Sequence, residues 1–182
     1  MQREYLTLVQ ASGESLLDLI NDILDFSKIE SGKMELESIP FELRESLGDT
    51  MKLLGTRAHK KKLELAFSVA EDVPDFLLGD PARLRQIVVN LVGNAIKFTL
   101  EGEVVLRVNT TSKSDDEVQL EISVSDTGIG IPPDKIDHVF ESFQQADTST
   151  TRSFGGTGLG LAISTRLVEL MSGKISCESV VG

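Results

Sequence analysis

The periodicity of the apolar residues changes at Gly32, and this change constrains the possible folds more than any other feature. From Leu6 to Ile23, apolar residues recur mostly at steps of three and four, which predicts one long amphipathic helix. Beyond Gly32, short strand-like stretches alternate with helical ones. We therefore expect a long helix in residues 1–32, followed by an α/β domain in residues 33–182. The apolar stripe needs a partner, which belongs to a missing segment or another subunit, unless the helix folds back onto the α/β domain.

The patterns within the α/β domain predict a mixed sheet covered by about three helices. Strands are expected at residues 33–39, 63–69, within 73–79, 103–110, 118–126 and 174–178, the last without a partner in this chain. Helices are expected at residues 41–59, 81–98, 132–139 and 159–171, and a mobile loop at 141–157. The pair Asp80-Pro81 predicts a helix start, because aspartate suits the N-cap and proline suits the first helical position.

Charge and composition exclude several classes of protein. The formal net charge of -11 repels nucleic-acid phosphates, so we expect no nucleic-acid binding. Cys177 is the only cysteine and cannot form an internal disulfide, which indicates a reduced, cytoplasmic protein. The sequence has no apolar run of about 18 residues, so we expect no membrane contact by this chain.

The helix predicted from Pro81 to Phe98 has two distinct faces. Its apolar face consists of Leu84, Ile87, Val88, Leu91, Val92 and Ala95. Asn90, Asn94 and Lys97 are four and three residues apart, so they share a second face. Two amides and an ammonium can offer a neutral oxygen to a hard cation and a positive charge to phosphate. A solvated helix face would contain the same residues, so this motif alone leaves both interpretations open.

A second motif, SDTGIGIP, follows the strand predicted to end near Asp126. An ionised carboxylate accepts hydrogen bonds but donates none, so Asp126 can recognise an exocyclic amino group such as that of adenine. Gly128 and Gly130 permit unusual backbone angles or the close approach of a flat ligand. An ordinary Asp-Thr-Gly turn would explain Gly128 but not Gly130.

A third motif, GGTGLGL, begins at Gly155 and leads into a helix. Alternate glycines at a helix N-terminus expose backbone N–H groups and the positive end of the helix dipole, which suit a phosphate. The motif lacks the Gly-Lys-Ser/Thr of a P-loop and the preceding strand of a dinucleotide fold. One glycine-rich stretch is weak evidence, but three nucleotide-compatible motifs in this order predict a nucleotide site.

Four segments, NLVGNAIKFT, DTGIGI, FESFQQAD and GGTGLGL, resemble the N, G1, F and G2 boxes of sensor histidine kinases. These kinases belong to the ATPase group that includes gyrase, Hsp90 and the DNA-mismatch protein MutL. The resemblance covers residues 33–182 and implies a two-layer α/β sandwich of the Bergerat type, which binds ATP and Mg²⁺. The helix ending LLDLINDILDFSKIESGKMELE resembles the second helix of the dimerisation and phosphoacceptor hairpin, as in large hybrid sensor kinases.

The resemblance also implies roles for individual residues. Asn94 would coordinate Mg²⁺ through its amide oxygen, with Asn90 beside it, and Lys97 would contact phosphate; these three are the candidate catalytic residues. Asp126 would accept a hydrogen bond from the adenine amino group, and Phe98 would stack nearby. The remaining residues expected to contact the nucleotide line the base pocket, the lid and the following helix: Gly128, Gly130, Ile131, Arg152, Gly156, Thr157, Gly158, Leu159, Gly160 and Leu161.

The family resemblance further implies the reaction of the parent protein. It would transfer the γ-phosphate of ATP to a histidine of its dimerisation hairpin, and a response-regulator receiver domain would act downstream in a homodimeric two-component system. The hairpin helix that carries this histidine is absent from the sequence, and His59 and His138 stand in no phosphoacceptor motif. We therefore expect an excised piece, cut at both ends, that does not autophosphorylate.

Asn90 distinguishes this chain from the hydrolytic relatives, which have a glutamate as general base at this position. An amide cannot accept a proton from water at neutral pH, so we expect little ATP hydrolysis. The sequence is also compatible with two alternatives, a nucleotide-binding module without phosphotransfer and a serine-directed kinase of the same fold. The exposed stripe of the first helix also predicts concentration-dependent self-association.

Overall fold

The computed structural model describes residues 2–136, 138–140 and 158–181. These ranges contain ten helices and strands. In chain order they are α1 (Gln2–Glu30), β1 (Ile39–Glu42), α2 (Leu43–Lys60), β2 (Glu64–Val69), β3 (Phe76–Gly79), α3 (Pro81–Phe98), β4 (Glu103–Lys113), β5 (Val118–Asp126), α4 (Pro133–Ile136) and α5 (Gly160–Leu170). None of the helices in these ranges is both long and apolar enough to cross a membrane. The predicted loop at 141–157 lies outside the described residues.

The main sheet has the strand order β2-β4-β5 and is mixed, as the sequence predicts. β2 runs parallel to β4, and the crossover between them contains α3, whereas β4 and β5 form an antiparallel hairpin. The hairpin register pairs Val104 with Asp126, so Asp126 lies at the end of the sheet where β4 begins. A second, two-stranded sheet pairs β1 with β3 in antiparallel register.

One face of the main sheet is covered by α2 and α3, which makes a two-layer sandwich. Val104, Leu106 and Val108 alternate along β4 and are at most 1% exposed, since all three point into this layer. The apolar face predicted for α3 is confirmed, and it packs with one face of α2 in a core cluster whose buried members include Leu43, Leu47, Met51, Leu54, Val88, Val92 and Ala95. The predicted fold class is confirmed.

Asp80 determines where α3 begins, as the sequence predicts. One of its carboxylate oxygens, Oδ1, accepts a hydrogen bond from Arg83 N at 2.9 Å, and Pro81 occupies the first turn. The other oxygen, Oδ2, accepts a hydrogen bond from Glu37 N at 3.0 Å. Asp80 therefore caps the helix and anchors the segment that follows α1.

Two predicted strands, at residues 33–39 and 174–178, are wrong. Residues 33–38 form no strand, because this stretch is held by Asp80; the strand is Ile39–Glu42. Phe41 pairs with Leu77 in that strand, so α2 begins at Leu43 rather than at residue 41. Residues 174–178 also form no strand, and no backbone ladder forms there. Directly after them, the Ser179 hydroxyl accepts a hydrogen bond from Ile131 N at 2.8 Å.

Only one end of the N-terminal helix α1 folds back onto the α/β domain, and the apolar stripe of the rest is uncovered. Near its C-terminal end, Phe26 and Ile29 pack against an apolar cluster that includes Ile163 and Leu167 of α5. The Asp25 carboxylate in the same region accepts hydrogen bonds from α3: from Arg83 Nη1 at 2.9 Å and Gln86 Nε2 at 2.8 Å. The upstream stripe is exposed, namely Leu6, Val9, Leu16, Leu17, Ile20, Ile23 and Leu24.

Candidate functional site

The second face of α3 organises the candidate site. Asn90, Asn94, Lys97 and Phe98 are all half-buried there, whereas the opposite side of the helix is fully buried against the sheet. The helix rises about 12 Å from Asn90 to Phe98. The site therefore has two ends, one at Asn90 and the other at Phe98.

At the first end, α5 contacts Asn90 closely. The Asn90 amide donates through Nδ2 to Ser164 Oγ at 2.8 Å, and its Oδ1 accepts from Asn94 Nδ2 at 3.3 Å. Gly160 has no room for a side chain, because a Cβ there would overlap Asn90 Oδ1. The helix that follows the third motif is thus bound directly to the first motif.

At the second end, the loop after β5 closes on the last turn of α3. Ile129 N donates to Phe98 O at 3.4 Å. A Cβ on Gly128 would lie 2.8 Å from the same carbonyl oxygen and 2.7 Å from Asp126 Oδ1, so only glycine fits. Asp126 is exposed, and its Oδ1 accepts a hydrogen bond from Gly128 N at 2.8 Å. The second motif and the end of the first therefore lie together.

Two further contacts hold this loop in position. Thr127 Oγ1 accepts a hydrogen bond from Glu103 N at 3.0 Å, which ties the loop to the start of β4. Gly130 has a φ of 68°, and a Cβ there would overlap Val180 O, so the loop also packs against the C-terminal segment. Burial raises the pKa of the Cys177 thiol in that segment, and the nearby charge of Asp126 raises it further.

Lys97 supplies positive charge to the site between these two ends. Burial lowers the pKa of its ammonium group, because the charged form has lost part of its hydration. Its Nζ lies 4.7 Å from the centroid of the Phe98 ring, a cation–π contact. A partly desolvated ammonium of this kind gains free energy when an anion such as phosphate binds beside it.

The residues of the site fit a magnesium ion that is shared with phosphate rather than held by protein alone. In residues 2–136, 138–140 and 158–181, no group of three or more His, Cys, Asp or Glu could hold a metal ion. Asn94 Nδ2 donates to Asn90 Oδ1, and Asn94 Oδ1 accepts no hydrogen bond from the described side chains. A neutral amide oxygen suits Mg²⁺ when phosphates supply the negative charge.

The structure gathers most of the residues expected to contact nucleotide, with some exceptions. Gly158 has a φ of 70° and precedes α5, in which Leu161 is half-buried. Leu159 is 2% exposed and belongs to the apolar cluster of α1, α3 and α5, so its side chain contributes to the core. Arg152, Gly156 and Thr157 lie outside the described residues, as does most of the FESFQQAD segment.

Sequence reasoning missed Ser164, Ser179 and the bonds of Asp25 to α3. A signal for Ser164 was present, because it follows Gly160 by four residues and therefore shares its helix face. The other two contacts join segments far apart in the chain, and no local spacing indicates them.

A separate groove of about 440 Å³ lies between β1, β3 and the first turns of α2 and α3. Its charged lining consists of three carboxylates and one guanidinium: Glu42, Glu45, Asp49 and Arg85. The carboxylates outnumber the guanidinium, so the groove suits a nucleotide less well than the face of α3 that carries Lys97.

Comparison with known proteins agrees with this site. The family model described as "Histidine kinase-, DNA gyrase B-, and HSP90-like ATPase" matches residues 79–182, more than half of the chain. The chain therefore belongs to this family and carries its ATP-binding catalytic domain. The model "His Kinase A (phospho-acceptor) domain" matches residues 1–32.

Similar proteins include named histidine kinases from bacteria and a plant. The chain is 52% identical over 181 residues to the sensor histidine kinase GacS of Pseudomonas protegens, covering 100% of this chain and 20% of GacS. It is 50% identical over 178 residues to the signal transduction histidine-protein kinase BarA of Escherichia coli, covering 98% and 19%. Histidine kinase 2 of Arabidopsis thaliana is 38% identical over 233 residues, with 100% and 20% covered. The chain thus spans about one fifth of the length of these relatives.

Solved structures support the same assignment. Full-length ShkA in complex with AMPPNP matches with a TM-score of 0.77 and 38% identity, covering 98% of this chain and 37% of ShkA. The histidine kinase ThkA in complex with the response regulator TrrA matches with a TM-score of 0.62 and 22% identity, covering 95% and 46%. The latter likeness concerns the fold alone. The resemblance to sensor histidine kinases that the four boxes predict is confirmed.

Proposed function

We propose that this chain binds Mg-ATP along α3 and presents the γ-phosphate to a histidine on the other helix of the dimerisation hairpin, which is not part of this sequence. The observation that carries the proposal is the convergence of three motifs on one helix face. Gly160 packs against Asn90 at one end, and Gly128 packs against Phe98 at the other. Asn94 and Lys97 lie between these ends, where the phosphates would bind.

Each side chain has a role that suits its chemistry. Asp126 accepts a hydrogen bond from the adenine amino group, and Lys97 neutralises phosphate charge. Asn94 contributes its amide oxygen to Mg²⁺, which neutralises charge on the phosphates when bound. Arg152, which lies between α4 and α5 in the sequence, is assigned to the phosphates on the basis of the family resemblance.

The chemistry of Asn90 favours phosphotransfer over hydrolysis. Its amide donates to Ser164 and accepts from Asn94, and an amide does not act as a base at neutral pH. The site would then accelerate transfer to an outside nucleophile by orienting the phosphates and neutralising their charge. We assign residues 1–32 to a dimerisation and phosphoacceptor hairpin and residues 33–182 to the catalytic domain.

The comparisons support nucleotide binding, because ShkA, which is 38% identical to this chain, was solved with the ATP analogue AMPPNP. For the parent of this chain we propose a cytoplasmic kinase region, a homodimer, a phosphoacceptor histidine on the partner helix of the hairpin, and a receiver domain downstream.

Calorimetric titration with Mg-ATP and with Mg-GTP tests the binding site. We expect ATP to bind and GTP to be rejected, because guanine has an oxygen where adenine has the amino group. Asp126→Asn should weaken ATP binding about tenfold or more, since a hydrogen bond to a charged group contributes about 1.5–3 kcal/mol. The asparagine oxygen can still accept the hydrogen bond from Gly128 N, so the loop should keep its conformation in this variant.

The outcomes of this titration are distinct. Equal binding of ATP and GTP would overturn the role of Asp126, and no binding of either would overturn the nucleotide site. Phosphotransfer is tested by adding the phosphoacceptor hairpin with γ-labelled ATP. Acid-labile phosphohistidine, lost in Asn94→Ala, is expected; its absence despite ATP binding would favour a module that only binds nucleotide.

A further inference from the structure

The side chain of Lys61 joins the end of α2 to the end of α3. Lys61 directly follows α2, and its Nζ donates hydrogen bonds to three backbone carbonyl oxygens of the other helix end. These oxygens are Ile96 O at 2.8 Å, Lys97 O at 2.7 Å and Thr99 O at 3.3 Å. An ammonium group has three N–H donors and no acceptor, and a carbonyl oxygen only accepts. The direction of each of these bonds is therefore unambiguous.

The turn between α2 and β2 fixes the backbone from which this side chain extends. Lys62 N donates to His59 O at 2.9 Å, and Leu63 N donates to Ala58 O at 3.0 Å. This pair of bonds is a Schellman motif, in which the residue after the cap is left-handed, and Lys62 has a φ of 60°. Ala58 and Leu63 are both buried in the core. Lys61 thus extends from a well-anchored turn.

The bonds of Lys61 complete the hydrogen bonding at the C-terminal end of α3. The last four carbonyl groups of a helix lack partners within the helix. In α3 they have the following partners: Thr99 N at Ala95 O, Lys61 Nζ at Ile96 O and at Lys97 O, and Ile129 N at Phe98 O. A cation also suits the negative end of the helix dipole. The end of α3 is therefore held by Lys61 on one side and by the loop of the second motif on the other.

The carbonyl group of Phe98, which meets the second motif, lies between two carbonyl groups that Lys61 holds. Lys97 O precedes it along the chain and Thr99 O follows it, and both accept hydrogen bonds from the same ammonium group. Gly128 packs so closely on Phe98 O that a Cβ would lie 2.8 Å from this oxygen. Because rotation of either flanking peptide group would move Phe98 O, Lys61 fixes the surface on which the loop rests.

The Asp126 carboxylate belongs to the same chain of contacts. Its Oδ1 accepts a hydrogen bond from Gly128 N at 2.8 Å, and Gly128 in turn packs against Phe98 O. The position of the carboxylate thus depends on the last turn of α3. A hydrogen bond weakens steeply when its distance or angle departs from the preferred range, so a displaced carboxylate would lose its bond to a bound base.

We infer that Lys61 is a positioning residue for the recognition of adenine. Its ammonium group holds the last turn of α3, this turn supports the loop at Gly128, and the loop presents Asp126 to the amino group of the base. The inference rests on the proposed function, in which Asp126 accepts a hydrogen bond from adenine. Lys61 acts through the backbone of α3 rather than through contact with the base.

Two other roles for Lys61 predict different results. If its charge attracts the phosphates, its removal weakens the binding of every purine triphosphate equally. If it only stabilises the fold, the folded variant binds every nucleotide as the wild type does. If it positions the loop, only the contribution of the adenine amino group is lost. ATP and purine riboside triphosphate, which has a hydrogen atom in place of this amino group, distinguish the three roles.

The experiment is a calorimetric titration of the chain with each of these two nucleotides in MgCl₂. The wild type should bind ATP about tenfold more tightly, the lower end for a hydrogen bond to a charged group. We expect Lys61→Met to weaken ATP binding to about the affinity for purine riboside triphosphate and to leave the latter affinity unchanged. Lys60→Met is the matched control, because it removes an exposed lysine charge from the adjacent position, and it should keep the wild-type preference.

Each result of this titration has a distinct meaning. A wild-type preference for ATP in Lys61→Met would overturn the inference and leave the proposed function intact. An equal loss of affinity for both nucleotides would overturn it in favour of a charge effect on the phosphates. Wild-type chain that binds both nucleotides equally would overturn the role of Asp126, and wild-type chain that binds neither would overturn the nucleotide site; the inference fails with either.

Urea denaturation shows whether the variants are folded under the conditions of the titration. If Lys61→Met is unfolded, the same comparison is made with Lys61→Gln, whose neutral side chain is too short to reach all three carbonyl oxygens. The preference for ATP should be lost in this variant as well, and its persistence would overturn the inference.

Discussion

The helices α1 and α3 have similar amphipathic patterns but opposite surroundings. In α3, Val88 and Val92 are completely buried between the sheet and the neighbouring helices. In α1, Leu6 and Val9 are 68% and 69% exposed. An apolar stripe therefore specifies a helix with a face to be covered, while the covering element comes from elsewhere in the protein.

The largest expected effect on stability comes from truncating an isoleucine to alanine in α3, compared with the same substitution in α1. Ile96 in α3 is 4% exposed, and Ile23 in α1 is 48% exposed. We expect Ile96→Ala to lower the free energy of unfolding by about 2–5 kcal/mol, because it leaves a cavity in the core. Ile23→Ala should change it by less than about 0.5 kcal/mol, as for other surface substitutions. Urea denaturation of both variants measures the difference.

The Ile23 variant also tests what the exposed stripe does in solution. If the stripe pairs two copies of the chain, Ile23→Ala should weaken the concentration-dependent self-association measured by sedimentation. A wild-type chain that remains monomeric at high concentration would contradict this expectation. A large loss of stability in Ile23→Ala would indicate instead that α1 is covered within one chain.

The next effect concerns the junction between the two regions. Asp25 and Arg83 are 15% and 25% exposed at their side chains, and their atoms lie 2.9 Å apart. Asp25→Ala should therefore cost about 1.5–3 kcal/mol, the range for hydrogen bonds to charged groups. The matched control is Glu30→Ala, whose 4.0 Å pair with Arg166 is half-exposed and contributes less than about 1 kcal/mol. Equal, small losses in both variants would show that α1 is not held to α3 by Asp25.

The smallest effect is on the pH dependence of stability near Lys97. Burial lowers the pKa of Lys97 in the folded chain. At a pH between this pKa and the higher pKa of the unfolded chain, the unfolded chain therefore binds more protons. Wild-type stability should consequently gain a contribution as the pH rises through this window. Lys97→Met should lack this contribution and should also weaken Mg-ATP binding. Urea midpoints between pH 7 and pH 11 compare the two proteins, and identical pH profiles would contradict the prediction.

Much of the fold could be predicted from the sequence, because its elements have strong local signals. The hairpin of β4 and β5, the apolar face of α3 and the cap at Asp80 all follow from periodicity and capping chemistry. The strand predicted at 33–39 is wrong because Asp80, more than forty residues away, holds Glu37 instead. The strand predicted at 174–178 is wrong because no strand among the described residues pairs with it. The C-terminal segment is held instead through Ser179, which accepts a hydrogen bond from Ile131 N.

The candidate site divides in the same way between local and distant information. The motifs around Asn94, Asp126 and Gly160 are recognisable in the sequence, because each needs particular residue types at a short spacing. Their order along α3 follows from contacts between distant segments, such as Gly128 with Phe98. The bond of Ser164 to Asn90 joins residues 74 positions apart, so no local pattern could indicate its orientation.

Local sequence patterns specify the helices, the hairpin, the loop positions that need glycine and the family to which the chain belongs. These features depend on interactions within a few residues, which the order of the side chains specifies directly. The contact between Asn90 and Ser164, and the part of α1 that packs on the domain, depend on how distant segments come together in the folded chain. Such contacts depend on how rigid elements pack together, because hydrogen bonds and close packing act over a few ångströms in space, whatever the separation along the chain.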